Sequence, residues 1–216
     1  MILVVYLLIA YLLGAFPSSV VLGRLVGRID VREHGSGNAG ATNAWRVLGW
    51  KTGVAVLVLD VAKGVLAAVA VPMIPMGSVP VDGPTLAVLC GLTAVLGHVF
   101  PVYLRFRGGK GVATAAGMLV GVAPIPVGCA LGVFAVLLVL FGRVSLGSII
   151  AAWAIPLSAF LLNEFTSYKS PIALIAVTAL LAAFITFTHR SNILRLIRGE
   201  EKSFPRLQVW RRLFRR

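Results

Sequence analysis

Long apolar runs broken by short polar clusters make up this chain. A helix needs about 20 apolar residues to cross a bilayer. The runs predict seven spans: Ile2–Leu22, Gly53–Val71, Thr85–Leu104, Val112–Pro124, Pro126–Phe141, Leu146–Leu162 and Pro171–Thr188. The fourth and fifth are short and separated only by Ala123-Pro124-Ile125-Pro126, a pattern that also suits a helical hairpin. The expected fold class is all-α, a polytopic membrane helical bundle with seven transmembrane helices. The first run, Ile2 to Phe16, has no basic residue before it and no small-residue cleavage site near its end. It therefore reads as the first membrane helix and not as a signal peptide.

Composition strengthens the membrane reading. Of 216 residues, 59% are hydrophobic and 12% are charged, against about 25% charged in a soluble domain. The net charge of +13 would suit nucleic acid, but no soluble basic face exists to carry it. The expected surroundings are membrane lipids, with no nucleic acid and no obligatory protein partner. Charge also orients the chain. Of the 20 Lys and Arg, all but Lys63 and Lys169 fall in segments 23–52, 105–111, 142–145 and 189–216. Seven spans place those segments on one side, and positive charge marks the cytoplasmic side. The amino terminus is then outside and the carboxyl terminus cytoplasmic; six spans would split the basic segments between the two faces. Cys90 and Cys129 lie in apolar runs and suggest packing, not a disulfide framework or a zinc site.

Four polar clusters land on the cytoplasmic side of this arrangement, where they could form one site. The first is Gly35–Arg46, in which glycines let the backbone turn and approach a ligand closely. Ser36, Asn38, Thr42 and Asn43 add hydrogen-bonding groups, and Arg46 adds a fixed charge with five donors. The second is Phe106–Thr114, where Gly108-Gly109-Lys110-Gly111 opens a helix and presents N–H groups and a lysine to an anion. It is not a nucleotide P-loop: Leu104 stands where the first glycine would fall, and Gly111 stands where Ser or Thr would hold magnesium. The third offers Ser145 and Ser148 three residues apart on one helix face. The fourth is His189-Arg190-Ser191-Asn192-Ile193-Leu194-Arg195; if the last span runs on as helix, His189, Asn192 and Arg195 share a face.

Inside the second span Asp60 and Lys63 lie three apart, and charges at that depth are paired or functional. An ion pair that orients this helix against its neighbours is the expectation. His98, at the end of the third span, either approaches the site or satisfies a backbone carbonyl. No His is followed five residues later by Asp, as soluble-type glycerolipid acyltransferases require, and no Gly-x-Ser-x-Gly elbow is present. Asp30, Glu33, Glu200 and Glu201 are too few and ill spaced for a two-metal site. Neither metal nor cofactor is expected.

Taken together, Gly35–Gly49, Gly97–Thr114, Val144–Ile149 and His189–Lys202 resemble the bacterial membrane acyl-phosphate:glycerol-3-phosphate acyltransferases, in residues, order and spacing. The resemblance implies transfer of a fatty acyl group from acyl phosphate to the 1-hydroxyl of glycerol 3-phosphate, giving lysophosphatidate and phosphate, in the first step of bacterial phospholipid synthesis. It implies that Ser36 and Arg46 are required and that Gly108, Gly109 and Gly111 hold glycerol 3-phosphate with Lys110 beside them. It also implies that His189 and Asn192 contribute to activity.

The residue chemistry is consistent with this. Two phosphate-bearing substrates bring roughly three to four negative charges to the site, which glycine amides, Arg46 and Lys110 can meet without a metal. Asn38, Thr42, Asn43, Ser145 and Ser148 are the further candidates for binding substrate. Ser36 and Asn192 are expected to donate near the reacting carbonyl or its phosphate, and His189 to orient or deprotonate the attacking hydroxyl. A small anion transporter or channel is the alternative; it would need polar groups near the midplane, where only Asp60 and Lys63 qualify. The membrane domain is expected to cover residues 1–202. In the basic tail 203–216, Leu207, Trp210, Leu213 and Phe214 roughly share a helical face suited to the anionic inner leaflet.

Overall fold

Pro17 interrupts the first apolar run. Proline lacks an N–H and restricts the residue before it. Helix α1, Ile2–Ala15, accordingly stops there, and a short α2, Ser18–Leu22, follows and runs on through a π turn at Gly23–Gly27. This computed structural model describes residues 1–204, which are largely helical with no strand among them. The later helices are α3, Ala41–Leu48; α4, Trp50–Val65; α5, Gly83–Val99; α6, Val112–Val120; α7, Pro124–Phe141; α8, Val144–Phe165; α9, Ile172–Thr188; and α10, Arg190–Ile197. The tail face expected at Leu207, Trp210, Leu213 and Phe214 lies outside the described residues.

Among the described residues, five helices are long and apolar enough to cross a membrane: Ile2–Gly27, Trp50–Met73, Gly83–Leu104, Pro124–Phe141 and Val144–Phe165. The pair α9 and α10, bent by 63°, makes a sixth if counted as one. The expected fourth span is instead the nine-residue α6. At 1.5 Å per residue it covers about 14 Å, half of the hydrocarbon thickness. Pro124 and Pro126 both belong to α7, whose first turn has no need of their missing N–H groups.

The chain divides into two compact units, Met1–Val122 and Ala123–Arg216. In the first, α1 packs on α5 and α4 on α6. Small residues set these contacts, as they do between helices in lipid. A Cβ on Gly14 would overlap the Ala94 carbonyl, and one on Gly64 would overlap the Thr114 carbonyl. The α6 face carrying Thr114, Ala115, Met118 and Leu119 is thereby buried in protein, which is what a helix too short for the bilayer requires. In the second unit α8 packs on both α7 and α9.

Candidate functional site

In the first unit the glycine-rich segment is tied down by one side chain. Gly35 and Gly37 adopt left-handed backbone, φ 67° and 72°, and fold the segment back over α3. Asn43, buried on the first turns of α3, lies beneath it. Its Oδ1 accepts the Ser36 amide at 2.8 Å and the Ser36 hydroxyl at 3.1 Å. Its Nδ2 donates to the carbonyls of Val31 at 2.7 Å and His34 at 3.1 Å. Both ends of Asn43 are thus engaged with protein, so it orients Ser36. Ser36 itself is exposed, with Asn38, Thr42 and Arg46 half-buried nearby in sequence. Ahead of the segment, Asp30 accepts from the Arg32 amide and forms an ion pair with its guanidinium at 2.7 Å. That hydrogen-bonded guanidinium holds the Asp30 carboxyl below its usual range. The His34 ring nitrogen Nδ1 lies 3.2 Å from the Asp30 carbonyl oxygen.

The second cluster departs from expectation in how it uses its backbone. The Gly108 amide donates to the Val99 carbonyl and the Gly109 amide to the His98 carbonyl, both at 3.1 Å. Both partners are among the last carbonyls of α5, which have no partner inside the helix. The two amides are therefore spent in the protein and are not presented to an anion. The turn reaches them through Arg105 and Phe106, both at positive φ, and Gly111 (φ 87°) caps α6. Donors for an anion then come from the first turn of α6, where helical N–H groups lack intrahelical acceptors, with Lys110 half-buried beside them.

Behind this turn lies a buried polar cluster. Asp60 Oδ1 receives the Ser18 hydroxyl at 2.9 Å and pairs with Lys63 Nζ at 2.8 Å, as an ion pair within α4. Lys63 also donates to the Phe16 carbonyl at 3.1 Å, at the break between α1 and α2. His98 Nδ1 stands 3.6 Å from the same Asp60 oxygen. The expected ion pair is present, and it bridges three stretches of chain. A pocket opens between Ala39, Asp60, Lys63, His98, Gly108 and Gly109.

In the second unit the organising residue is one the sequence reading weighed only as a metal ligand. Glu201 Oε1 accepts from the Ser145 hydroxyl and from Asn192 Nδ2, each at 2.7 Å, while Oε2 accepts from Arg195 Nε at 2.8 Å. Burial alone would raise this carboxyl, but the donors outweigh it and hold it below the usual range. Gly199, left-handed at φ 73°, returns the chain so that Glu201 meets α10. A glycine after α10 and an acid six residues beyond Arg195 were the available signal. Ser148 is buried on α8 beside Ser145. The last span does not run on unbroken: His189 sits at the bend between α9 and α10. Its Nδ1 lies 2.8 Å from the Ile185 carbonyl, which assigns the proton of a neutral ring to that nitrogen.

Comparison with known proteins agrees with these features. The family described as glycerol-3-phosphate acyltransferase matches residues 4–199. The glycerol-3-phosphate acyltransferase of Chlorobaculum parvum (strain DSM 263 / NCIMB 8327) is 44% identical, covering 89% of this chain and 92% of that protein. That of Chlorobium phaeobacteroides (strain BS1) is 43% identical, covering 92% and 95%. Among solved structures, PlsY (YgiH), an integral membrane glycerol 3-phosphate acyltransferase, is similar in its glycerol 3-phosphate form. The TM-score is 0.82 at 36% identity, over 100% of both chains. Its lysphosphatidic acid form gives a TM-score of 0.78 over 94% of this chain and 96% of that one.

Proposed function

The chain belongs to the glycerol-3-phosphate acyltransferase family and is an integral membrane acyltransferase, and on that premise we propose that its acyl donor is acyl phosphate. The reaction is a single displacement. The 1-hydroxyl oxygen of glycerol 3-phosphate attacks the acyl carbonyl carbon, the bond from that carbon to the phosphate oxygen breaks, and phosphate leaves. The products are lysophosphatidate and phosphate, the phosphate or His189 taking the hydroxyl proton. Such a donor is already activated, so the enzyme supplies mainly positioning, worth about 7–11 kcal/mol in favourable cases. An oxyanion-type donor adds roughly 3–4 kcal/mol.

The observation that carries this reading is the grip of Asn43 on Ser36. A serine whose amide and hydroxyl are both directed at one amide oxygen is held as a polar contact. A nucleophile would need its hydroxyl hydrogen on a base, whereas the Ser36 hydroxyl donates to the Asn43 amide oxygen, which cannot take the proton. Ser36 becomes the donor near the reacting carbonyl when its hydroxyl hydrogen turns from Asn43 to the substrate while its amide stays on Asn43, and Arg46 with Lys110 and the start of α6 meets the phosphates. Asn38, Thr42, Gly108, Gly109 and Gly111 shape the glycerol 3-phosphate site. Asn192, oriented by Glu201, and His189 take part in the transfer; Ser145 and Ser148 support substrate binding.

The charge asymmetry supports a bacterial inner-membrane enzyme with seven passes and chemistry at the cytoplasmic face; α6 is too short to make its pass as helix alone and does so with the turn that follows it. Purified protein in detergent, given only acyl phosphate and glycerol 3-phosphate, should release lysophosphatidate and phosphate in equal amounts. Turnover with an acyl thioester but not with acyl phosphate would refute the donor. Rapid quench without glycerol 3-phosphate should leave no acyl-protein, whereas stoichiometric label on Ser36 would replace single displacement with ping-pong transfer.

A further inference from the structure

One cluster of four buried polar side chains in the first unit, Ser18, Asp60, Lys63 and His98, has no part in the chemistry above. Charges buried in a membrane span are costly, and these are satisfied by one another and by the chain break at Phe16. That accounts for Ser18, Asp60 and Lys63. His98 is tied to them more loosely: its Nδ1 lies 3.6 Å from Asp60, too long for a hydrogen bond but close enough for the carboxylate to orient the ring.

The other edge of the His98 ring faces Gly109. A Cβ built on Gly109 would overlap Nε2 of that ring, and the Ala39 carbonyl oxygen closes in from the glycine-rich segment at 3.0 Å. A Cβ on Gly108 would overlap the His98 carbonyl, the same oxygen that receives the Gly109 amide. The Gly108–Gly109 turn is therefore clamped between His98 and Ala39. We infer that His98 is a positioning residue: its ring, set by the Asp60–Lys63 pair, fixes the Gly108–Gly109 turn against Ala39 and so fixes the start of α6 for the phosphate of glycerol 3-phosphate. This rests on the proposal that glycerol 3-phosphate binds at that turn. It departs from the simple account in which these glycines are needed for their amides, because both amides are spent on α5.

The two accounts differ over a double variant. If a methyl group at Gly109 obstructs phosphate directly, the defect persists whatever stands at position 98. If the methyl collides with His98, removing the ring makes room for it. Wild type, Gly109→Ala, His98→Ala, the double variant and Asp60→Asn with Lys63→Met are purified in detergent. For each, kcat, KM for both substrates and thermal midpoint are measured. Gly109→Ala should raise KM for glycerol 3-phosphate about tenfold or more, as a displaced binding element does, with KM for acyl phosphate unchanged. The double variant should recover at least about threefold of that rise. The neutralised Asp60/Lys63 variant should raise the same KM at least about threefold while its thermal midpoint stays near wild type.

A Gly109→Ala enzyme with normal KM for glycerol 3-phosphate would remove the substrate from this turn, and the functional assignment would fall first. A raised KM that the double variant shares in full would leave the assignment standing and overturn the role of His98. Should Gly109→Ala fail to fold, recovery of folded protein in the double variant reads the same contact. A double variant as poorly folded as the single one overturns the inference.

Discussion

Replacing Asn43 with alanine tests whether Ser36 is held in place or merely located nearby. Four hydrogen bonds disappear, two from Ser36 and two to the Val31 and His34 carbonyls. Ser36 and His34 are exposed, so water replaces most of what they lose. Val31 is fully buried, and its carbonyl would lose its Asn43 donor. Counting full cost for that bond and a fraction for the others gives about 2–3 kcal/mol. The same figure is roughly 30- to 150-fold in an equilibrium between ordered and disordered segment. Because the network spans only residues 31–43, the loss should fall on local order and not on the whole unit. Steady-state turnover in detergent should show kcat/KM reduced by roughly that factor, and hydrogen exchange should accelerate at residues 34–38. Asn43→Asp, which keeps the acceptor for Ser36 but loses both donors, should fall between. If Asn43→Ala keeps kcat/KM within about threefold of wild type while Ser36→Ala is inactive, Ser36 does not depend on Asn43 and the reasoning fails.

Ser36→Ala should lower kcat by about 10²–10³, the cost of one oxyanion-type donor; a change confined to KM would assign Ser36 to ground-state binding. Glu201→Gln should lower the thermal midpoint at neutral pH, because the amide end opposes Arg195 or abandons Ser145 and Asn192. The folded-state pKa of Glu201 is depressed, so its contribution is complete above the unfolded value of about 4.3 and is lost as pH falls through the lower folded value. The gap in midpoint between wild type and Glu201→Gln should therefore close as pH drops below that range; a gap unchanged down to pH ~3 would count against the ionised clamp. Cysteines placed at Lys169 and Lys202 should label from opposite faces of intact cells, and labelling from one face alone would undo the seven-pass orientation.

Residue types were legible in the sequence further than their partners. The glycine-rich segment, the Gly-Gly-Lys-Gly turn, the serine pair and the His189–Asn192 stretch were all visible as polar interruptions of apolar runs. So was the pairing of Asp60 with Lys63, since i,i+3 spacing on a helix is local geometry. What the amides of Gly108 and Gly109 would bond was not legible, because their acceptors are set by how the chain turns after α5. Asn43 read as a ligand group for a similar reason: an asparagine that binds substrate and one that binds the loop above it look alike until the loop is folded. The short α6 was hidden by hydropathy, which records apolar length but not that Gly121-Val122-Ala123 ends the helix.

Glu201 also has a consequence for synthesis. Ser145 enters the nascent chain 56 residues before its acceptor. At about 5–20 residues per second that gap lasts roughly 3–11 s. Throughout it, the serine at the start of α8 lacks this carboxylate. Asn192 and Arg195 arrive late in the gap and also await it. The second unit therefore closes in one late event, when a single side chain draws α8 and α10 together. A chain truncated between α10 and Glu201 would keep the apolar helices of this unit and lack the carboxylate on which Ser145, Asn192 and Arg195 converge.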